Sequence, residues 1–520
     1  MTRRVLVVGW DGADWEIVDD LLGRGLLPNL QAMIEEGGRG TLLSSIPSQS
    51  WSAWTSFLTG YHPATHGVWD FVERDPTDPD LRLPVSSTSI RQPTFLDRLS
   101  VAGIEVRAAN IPVTYPPWDL KGRMIGGVAV PKGSRFVTPR EWAAELERVA
   151  PFPLNGMEWT RYQDRPDVLV AEGRSLVQER LASFEALLEG SWEVAVCVFV
   201  EPDRLQHPFG AYLLPSHPSH GAHADSEIAE GLRATYALVD AALGRLRRAA
   251  GPDTLTIVLS DHGFRPVTHL LGLNRLLQTL GFASAGSRGE MARSVRTWAP
   301  VRKIARSRAG HRLKRNIRAP STLDWHKTVA YPAGTGGAVS INLRGREIHG
   351  TVEPADYERV RAEVARALLD YREPSTGAQP IAKVLLREDL PSGDRADLAP
   401  DLLARPSDLW TLGNIGQVTS DATWPSGDHR QEGILIASHA ITADLGAPSI
   451  VDIAPTLLAA QGLTVPGLDG TAIAGIVGED LSLDEPGGNA APAVGPTVGD
   501  LRDEEQDEIA EHLRDLGYIE

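Results

Sequence analysis

Residues 5–15 read VLVVGWDGADW. From Arg3 to Trp10 the stretch has no alternation of polar and apolar positions, which predicts a strand buried on both faces. It stops at Asp11-Gly12, an acid on a glycine turn where such a strand would leave its sheet. Two later runs have the same character: WEVAVCVFVEPD, Trp192–Asp203, and TLTIVLSDHGF, Thr254–Phe264. Between them lie helical patterns. IVDDLLGRGLLPNLQAMIEEGG (17–38) reads as helical turns broken by Pro28, and FLDRLSVAGIEVRAANI (95–111) as a helix followed by a strand. GRSLVQERLASFEALLEG (173–190) and EIAEGLRATYALVDAALGRLRRAAG (227–251) read as amphipathic helices. Strand–helix alternation with continuous apolar strands predicts an α/β fold, with a mostly parallel central sheet covered by helices on both faces. In such sheets ligands gather at the carboxyl ends of the strands.

The 520 residues, 42% hydrophobic, suffice for a large core with insertions. The net charge, 51 basic minus 68 acidic side chains or −17, argues against a nucleic-acid polymer as partner, which would need a basic face. Cys197 is the only cysteine, so no internal disulfide marks an oxidising compartment; in its apolar run it reads as a small buried hydrophobe. The N-terminal apolar run is too short for a signal peptide, and no stretch approaches the ~18 apolar residues of a membrane span. The expectation is a soluble cytoplasmic protein.

The core is expected over 1–265. An inserted α+β cap is expected over 266–400, with a helix near 355–373, and the final part of the core over 401–482. A Pro/Gly/Ala-rich linker follows over 483–499 and an acidic helical tail over 500–520. Residues 288–318 carry eleven Arg and Lys against one acid, Glu290; they read as a solvated insertion, or as an electropositive lid or contact for an anionic membrane surface. No repeat is present, and the oligomeric state is not encoded in any recognisable way.

Four places put Asp or His at a predicted strand end: Asp11; Asp203 with His207 four residues on; Asp261-His262; and His429, in a Gly-flanked loop leading into a strand. Residues i and i+4 of a helical turn face the same way, so Asp203 and His207 can reach one ion. Singly each is ambiguous, since an Asp after a strand is often a helix cap and a lone His often structural. Together, three carboxylates and three imidazoles are ligand stock for two divalent ions of the zinc type, with manganese the alternative. Two ions about 4 Å apart suit in-line displacement at phosphorus, for which a Ser or Thr hydroxyl or water would be the nucleophile.

Five ordered blocks then resemble the alkaline phosphatase superfamily, and more narrowly its type I phosphodiesterase/nucleotide pyrophosphatase branch. They are DG at Asp11, PSQSWSAWTSFLTGYHPATHG (47–67), EPDRLQH (201–207), SDHGF (260–264) and GDH (427–429); PSIVDIAPTLLAAQGL (448–463) resembles the closing helix. The resemblance implies Ser50 as nucleophile, one metal on Asp203, His207 and His429, and a second on Asp11, Asp261 and His262, with Ser50 also at the ions. It implies double displacement on a small phosphorylated substrate through phospho-Ser50. His62 and His66 read as structural or supporting, because the ligand set is complete without them. Ala53 stands where the pattern has an Asn that helps bind a phosphate oxygen; Ser52, a backbone N–H or Arg204 are the candidate substitutes, and nucleotide diesters become doubtful substrates. A sulfatase is disfavoured because neither Pro nor Arg follows Ser50 in the required context. A phosphomutase or phosphotransferase, or a non-catalytic binding protein, are the alternatives.

Overall fold

The computed structural model describes residues 3–75, 78–159, 162, 164–286, 323–413, 415–478 and 501–516. The arginine-rich stretch 288–318 and the linker 483–499 lie outside them.

Eight strands form the central sheet in the order Gly38–Leu43, Glu432–Ala437, Leu255–Leu259, Val5–Trp10, Val194–Phe199, Val106–Ala109, Gly122–Ile125, Val137–Thr138. The five strands from Leu255–Leu259 to Gly122–Ile125 are mutually parallel. Glu432–Ala437 runs antiparallel to both its neighbours, and Val137–Thr138 is antiparallel at the other edge. The apolar runs build the middle of the sheet because they have two faces to bury. Val5 and Val7, Val194, Val196 and Val198, and Leu255 and Ile257 pack into one apolar cluster. Leu6, Val8 and Trp10, Ala195, Cys197 and Phe199, and Val258 pack into the cluster on the opposite face. This is the two-sided burial of a parallel sheet. Cys197 is one of these wall residues, and burial raises its thiol pKa.

Helices Ser50–Thr59, Phe95–Val101, Ile453–Ala460 and Asp503–Asp515 cover the first face; Trp15–Gly23, Pro28–Glu36, Pro166–Leu187 and Glu227–Ala250 cover the second. Local chemistry sets their ends. Pro28 opens its helix, where its missing N–H costs nothing. Ser226 caps Glu227–Ala250, which has Glu227 and Glu230 in its first turn and Arg247 and Arg248 in its last, complementing the helix dipole.

The inserted α+β unit is a four-stranded sheet, in the order Ala330–Pro332, Ala338–Ile341, Leu402–Pro406, Ile381–Leu386, packed against helix Tyr357–Asp370. Leu402–Pro406 pairs within this sheet, so the chain re-enters the central sheet at Glu432 rather than near residue 401. A three-stranded sheet links the two units: Gly263–Gly272 lies between Leu409–Gly413 and Thr419–Arg430. His429 is therefore not in a loop. It is in strand Thr419–Arg430, opposite Phe264, where ladder pairing aligns it with the Asp261-His262 segment. Among the described residues, no helix is long and apolar enough to cross a membrane.

Gly9 is the tightest point of the first strand. A Cβ there would lie 2.7 Å from the Trp54 ring and 2.9 Å from a Val198 methyl. Gly9→Ala is expected to lower unfolding free energy by about 1–3 kcal/mol in chemical denaturation, the cost of overpacking. Unchanged stability would contradict this packing.

Candidate metal and nucleophile site

The strands Leu255–Leu259, Val5–Trp10 and Val194–Phe199 are neighbours and parallel, so their carboxyl ends lie side by side. Asp261, Asp11 and Asp203 follow them directly, and all three are essentially fully buried. Asp203 sits in the first turn of helix Glu201–Leu213, and His207 one turn on. His207 Nε2, His429 Nε2 and Asp203 Oδ1 form a tight triangle: 3.0 Å between the imidazoles, 3.2 Å from His429 to Asp203 and 3.4 Å from His207 to Asp203. His429 Nδ1 donates to the Ser48 carbonyl at 3.0 Å, which aims its Nε2 into the triangle.

His262 repeats the arrangement. Its Nδ1 donates to the Gly263 carbonyl at 3.2 Å, so Nε2 carries the lone pair. That atom lies 3.3 Å from Asp261 Oδ2, 3.8 Å from Asp11 Oδ1, 3.9 Å from Asp203 Oδ1 and 3.1 Å from Ser50 Oγ. Ser50 is the first residue of helix Ser50–Thr59 and is fully buried.

The donor set fits divalent cations. Asp11 Oδ1 and Asp261 Oδ2 are buried with no hydrogen-bond partner, a costly state for a carboxylate oxygen unless a cation or proton occupies the space between. The electrostatics agree. Burial, then Asp261 and Asp203, raise the Asp11 pKa well above the usual carboxylate range. Burial and Asp203 push Asp261 up to about 8. Burial works against ionised Asp203 too, but His207 and His429 hold its pKa well below the usual range. Burial and the neighbouring His429 keep His262 neutral, as a ligand must be. Two groups of ligand atoms lie within 4.8 Å of one another: Asp203, His207 and His429, and Asp11, Asp203 and His262. The first matches the expected trio. In the second, Asp203 stands where Asp261 was expected. It reaches both groups from its helix, while Asp261 turns Oδ1 to the Gly12 N–H at 3.1 Å and keeps Oδ2 beside His262.

The other candidates go elsewhere. Arg204 Nη1 donates to the Gly156 carbonyl at 2.9 Å, and Ser52 Oγ accepts from Ser45 Oγ at 3.2 Å; neither joins the cluster. Ala53 is wholly buried in the apolar cluster with Trp54 and Phe57. His66 is structural. Its Nδ1 accepts from the Val68 N–H at 3.1 Å, so its Nε2–H donates to Ser56 Oγ at 3.0 Å. Burial, aided by His62, lowers its pKa to about 3. His62 is half-buried, and its backbone N–H binds Asp469.

Three contacts were not foreseen. The Trp54 indole N–H donates to Asp11 Oδ2 at 3.0 Å. Gln206 Nε2 donates to the Gly12 carbonyl at 2.8 Å. The inserted unit reaches the residue before Ser50 through Thr335, whose hydroxyl lies 3.2 Å from Gln49 Nε2 and 2.8 Å from Asp70 Oδ1, while its N–H binds Asp70 Oδ2 at 2.6 Å. A Cβ on Gly336 would lie 2.1 Å from Gln49 Nε2, so a side chain there would displace the Gln49 amide. Trp54 and Gln49 lie in the same stretch as Ser50, but nothing local in the sequence names their distant partners.

Buried carboxylates and imidazoles gather around a serine hydroxyl at the strand ends of this fold, a donor set that suits a metal-dependent phosphoryl hydrolase. Residues 5–431 match the family described as type I phosphodiesterase / nucleotide pyrophosphatase, and the chain belongs to it. It is thus a phosphoric ester hydrolase. Among solved structures, phosphonoacetate hydrolase from Sinorhizobium meliloti 1021 in complex with phosphonoformate is 18% identical with a TM-score of 0.57, over 88% of this chain and 96% of that one. Murine ectonucleotide pyrophosphatase / phosphodiesterase 5, inactive and in complex with AMP, is 14% identical with a TM-score of 0.52, over 90% and 97%. At these identities the likeness is one of fold. A search of curated protein sequences found no match.

Because His66 is held neutral in the fold but titrates near 6.5 when unfolded, the folded state binds fewer protons between about pH 3 and 6.5. Its contribution is therefore full above pH 6.5 and lost as pH falls. The stability difference between wild type and His66→Gln should shrink by about 2 kcal/mol from pH 7.5 to pH 5, at 1.36 kcal/mol per pH unit below 6.5. Denaturation curves at the two pH values measure it; a constant difference would contradict a neutral His66.

Proposed function

We propose that this chain hydrolyses small phosphoric esters, phosphodiesters foremost, by double displacement with Ser50 as nucleophile and two divalent cations as cofactors. The observation that carries the reading is Ser50 Oγ, 3.1 Å from His262 Nε2, which belongs to one of the two groups of ligand atoms. Asp203, His207 and His429 would hold one ion; Asp11 and His262, with Asp203 and Asp261 at hand, the other. Zinc suits three imidazoles with carboxylates, and manganese is the second choice. Bound there, the ions would supply Lewis-acid stabilisation of a serine alkoxide and of phosphate oxygens.

The protein's own groups do the rest. Ser50 gives up its hydroxyl proton to solvent as Oγ forms a bond to phosphorus, and the leaving ester oxygen departs with its electron pair and takes a proton from solvent. Water then attacks phosphorus, and the Ser50 Oγ–P bond breaks to regenerate the hydroxyl. For a diester the covalent species keeps one ester group; for a monoester it is phosphoserine. Ser50 opens its helix, where the first N–H groups have no intrahelical acceptor, so developing negative charge meets the positive helix end. Trp54 and Gln206 orient Asp11 and its turn. The Thr335 loop packs against Gln49 and supports a role for the inserted unit in shaping the leaving-group side. AMP and phosphonoformate in the structural neighbours support small phosphorylated substrates. A cytoplasmic location stays part of the proposal, supported by the single buried cysteine.

Ser50→Ala is expected to reduce turnover of a chromogenic phosphodiester by about three orders of magnitude or more, with metal content near that of wild type. Asp203→Ala and Asp261→Ala should each lower metal content, as read by elemental analysis. Substantial activity in Ser50→Ala would remove the nucleophile, and unchanged stoichiometry in both Asp variants would remove the metal assignment.

A further inference from the structure

Asp14 is three residues beyond Asp11, is wholly buried, and belongs to neither group of ligand atoms. As a cap of helix Trp15–Gly23 it needs only the Glu16 N–H, which its Oδ1 accepts at 2.8 Å. It does more. Arg430, the residue after His429, grips it with both arms of its guanidinium: Nη2 to Oδ1 and Nε to Oδ2, each at 2.6 Å. The N–H of Phe264, two residues after His262, also donates to Oδ2 at 3.0 Å. Gly263 leaves room for this oxygen, since a Cβ there would lie 2.4 Å from it.

One carboxylate thus joins three segments that each carry candidate ligands: the turn holding Asp11, the stretch holding Asp261 and His262, and the strand holding His429. Ladder pairing of Gly263 with Arg430 registers the last two against each other. The Asp14–Arg430 pair ties the strand holding His429 to the end of the first strand, beside the bond from the Gly12 N–H to Asp261 Oδ1. Its bidentate geometry fixes direction as well as distance, which a single contact would not.

We propose that Asp14 and Arg430 are a positioning pair that pre-forms the divalent-cation site, bringing His429 and His262 to Asp11 and Asp203 before any ion arrives. The inference rests on the reading of this cluster as a cation site. Partners that orient metal ligands without touching the metal typically change affinity by about 10- to 100-fold when removed.

The test is a zinc titration against a chromophoric chelator, with thermal unfolding of the metal-free proteins in parallel. Its arms are wild type, Arg430→Gln, Arg430→Lys and Arg346→Gln. Arg346 is the control: it makes a two-armed pair with buried Asp401, at 2.9 and 2.6 Å, but in the inserted unit. Arg430→Gln should weaken zinc binding by about 10-fold or more, and Arg430→Lys, which keeps the charge and loses the fork, by an intermediate factor. Arg346→Gln should lower the melting temperature and leave zinc affinity at the wild-type value. Affinity within twofold of wild type in both Arg430 variants, or an equal loss in Arg346→Gln, would overturn the proposal. If Arg430→Gln does not fold, Arg430→Lys decides by the same criterion. A wild type that binds no zinc and no manganese would instead overturn the cation site itself.

Discussion

Three carboxylates converge at the ends of three adjacent parallel strands, away from water, and the surrounding structure answers their mutual repulsion. Parallel strands must be buried on both faces, so their continuous apolar runs leave no freedom over where Asp11, Asp203 and Asp261 emerge. Like charges brought together in a low dielectric raise one another's pKa. Asp203 escapes only because His207 and His429 face it. Such an arrangement is unfavourable for the fold alone and favourable for a site that receives cations.

Around this centre the chain is held from several directions. Trp54 links Asp11 to the helix that begins with Ser50, so a hydrogen bond ties that helix to a candidate ligand. Asp14 links the same turn to the ribbon bearing His262 and His429. The inserted unit touches Gln49 and Asp70 through Thr335, giving an otherwise separate sheet a hold on the residue before Ser50. The reactive groups are thus set by strands and helices rather than by free loops, as pre-organised catalysis requires.

The central sheet and its helices were legible in the sequence because their periods are strong: strands such as VAVCVF, Val194–Phe199, have no polar face, and Pro28 breaks the helical turns after the first strand, where a new helix starts. The strand ends bearing Asp11, Asp203 with His207, and Asp261-His262 were legible for the same reason. What failed depends on distant pairing. Nothing in SGDHR distinguishes a loop from a strand until Phe264 lies opposite His429. Gly38–Leu43, GRGTLL, has no alternation that would announce an edge strand. The fate of Arg204 and Ala53 depends on which way their helices face, and Asp14 looks like an ordinary helix cap, which it also is; its partner lies 416 residues away.

The central claim is that a serine, not water, makes the first attack on phosphorus. The stereochemical course of hydrolysis tests it most directly, using a chiral phosphorothioate diester in isotopically labelled water. Two successive in-line displacements through Ser50 predict net retention of configuration at phosphorus; net inversion would mean direct attack by water and would contradict the account.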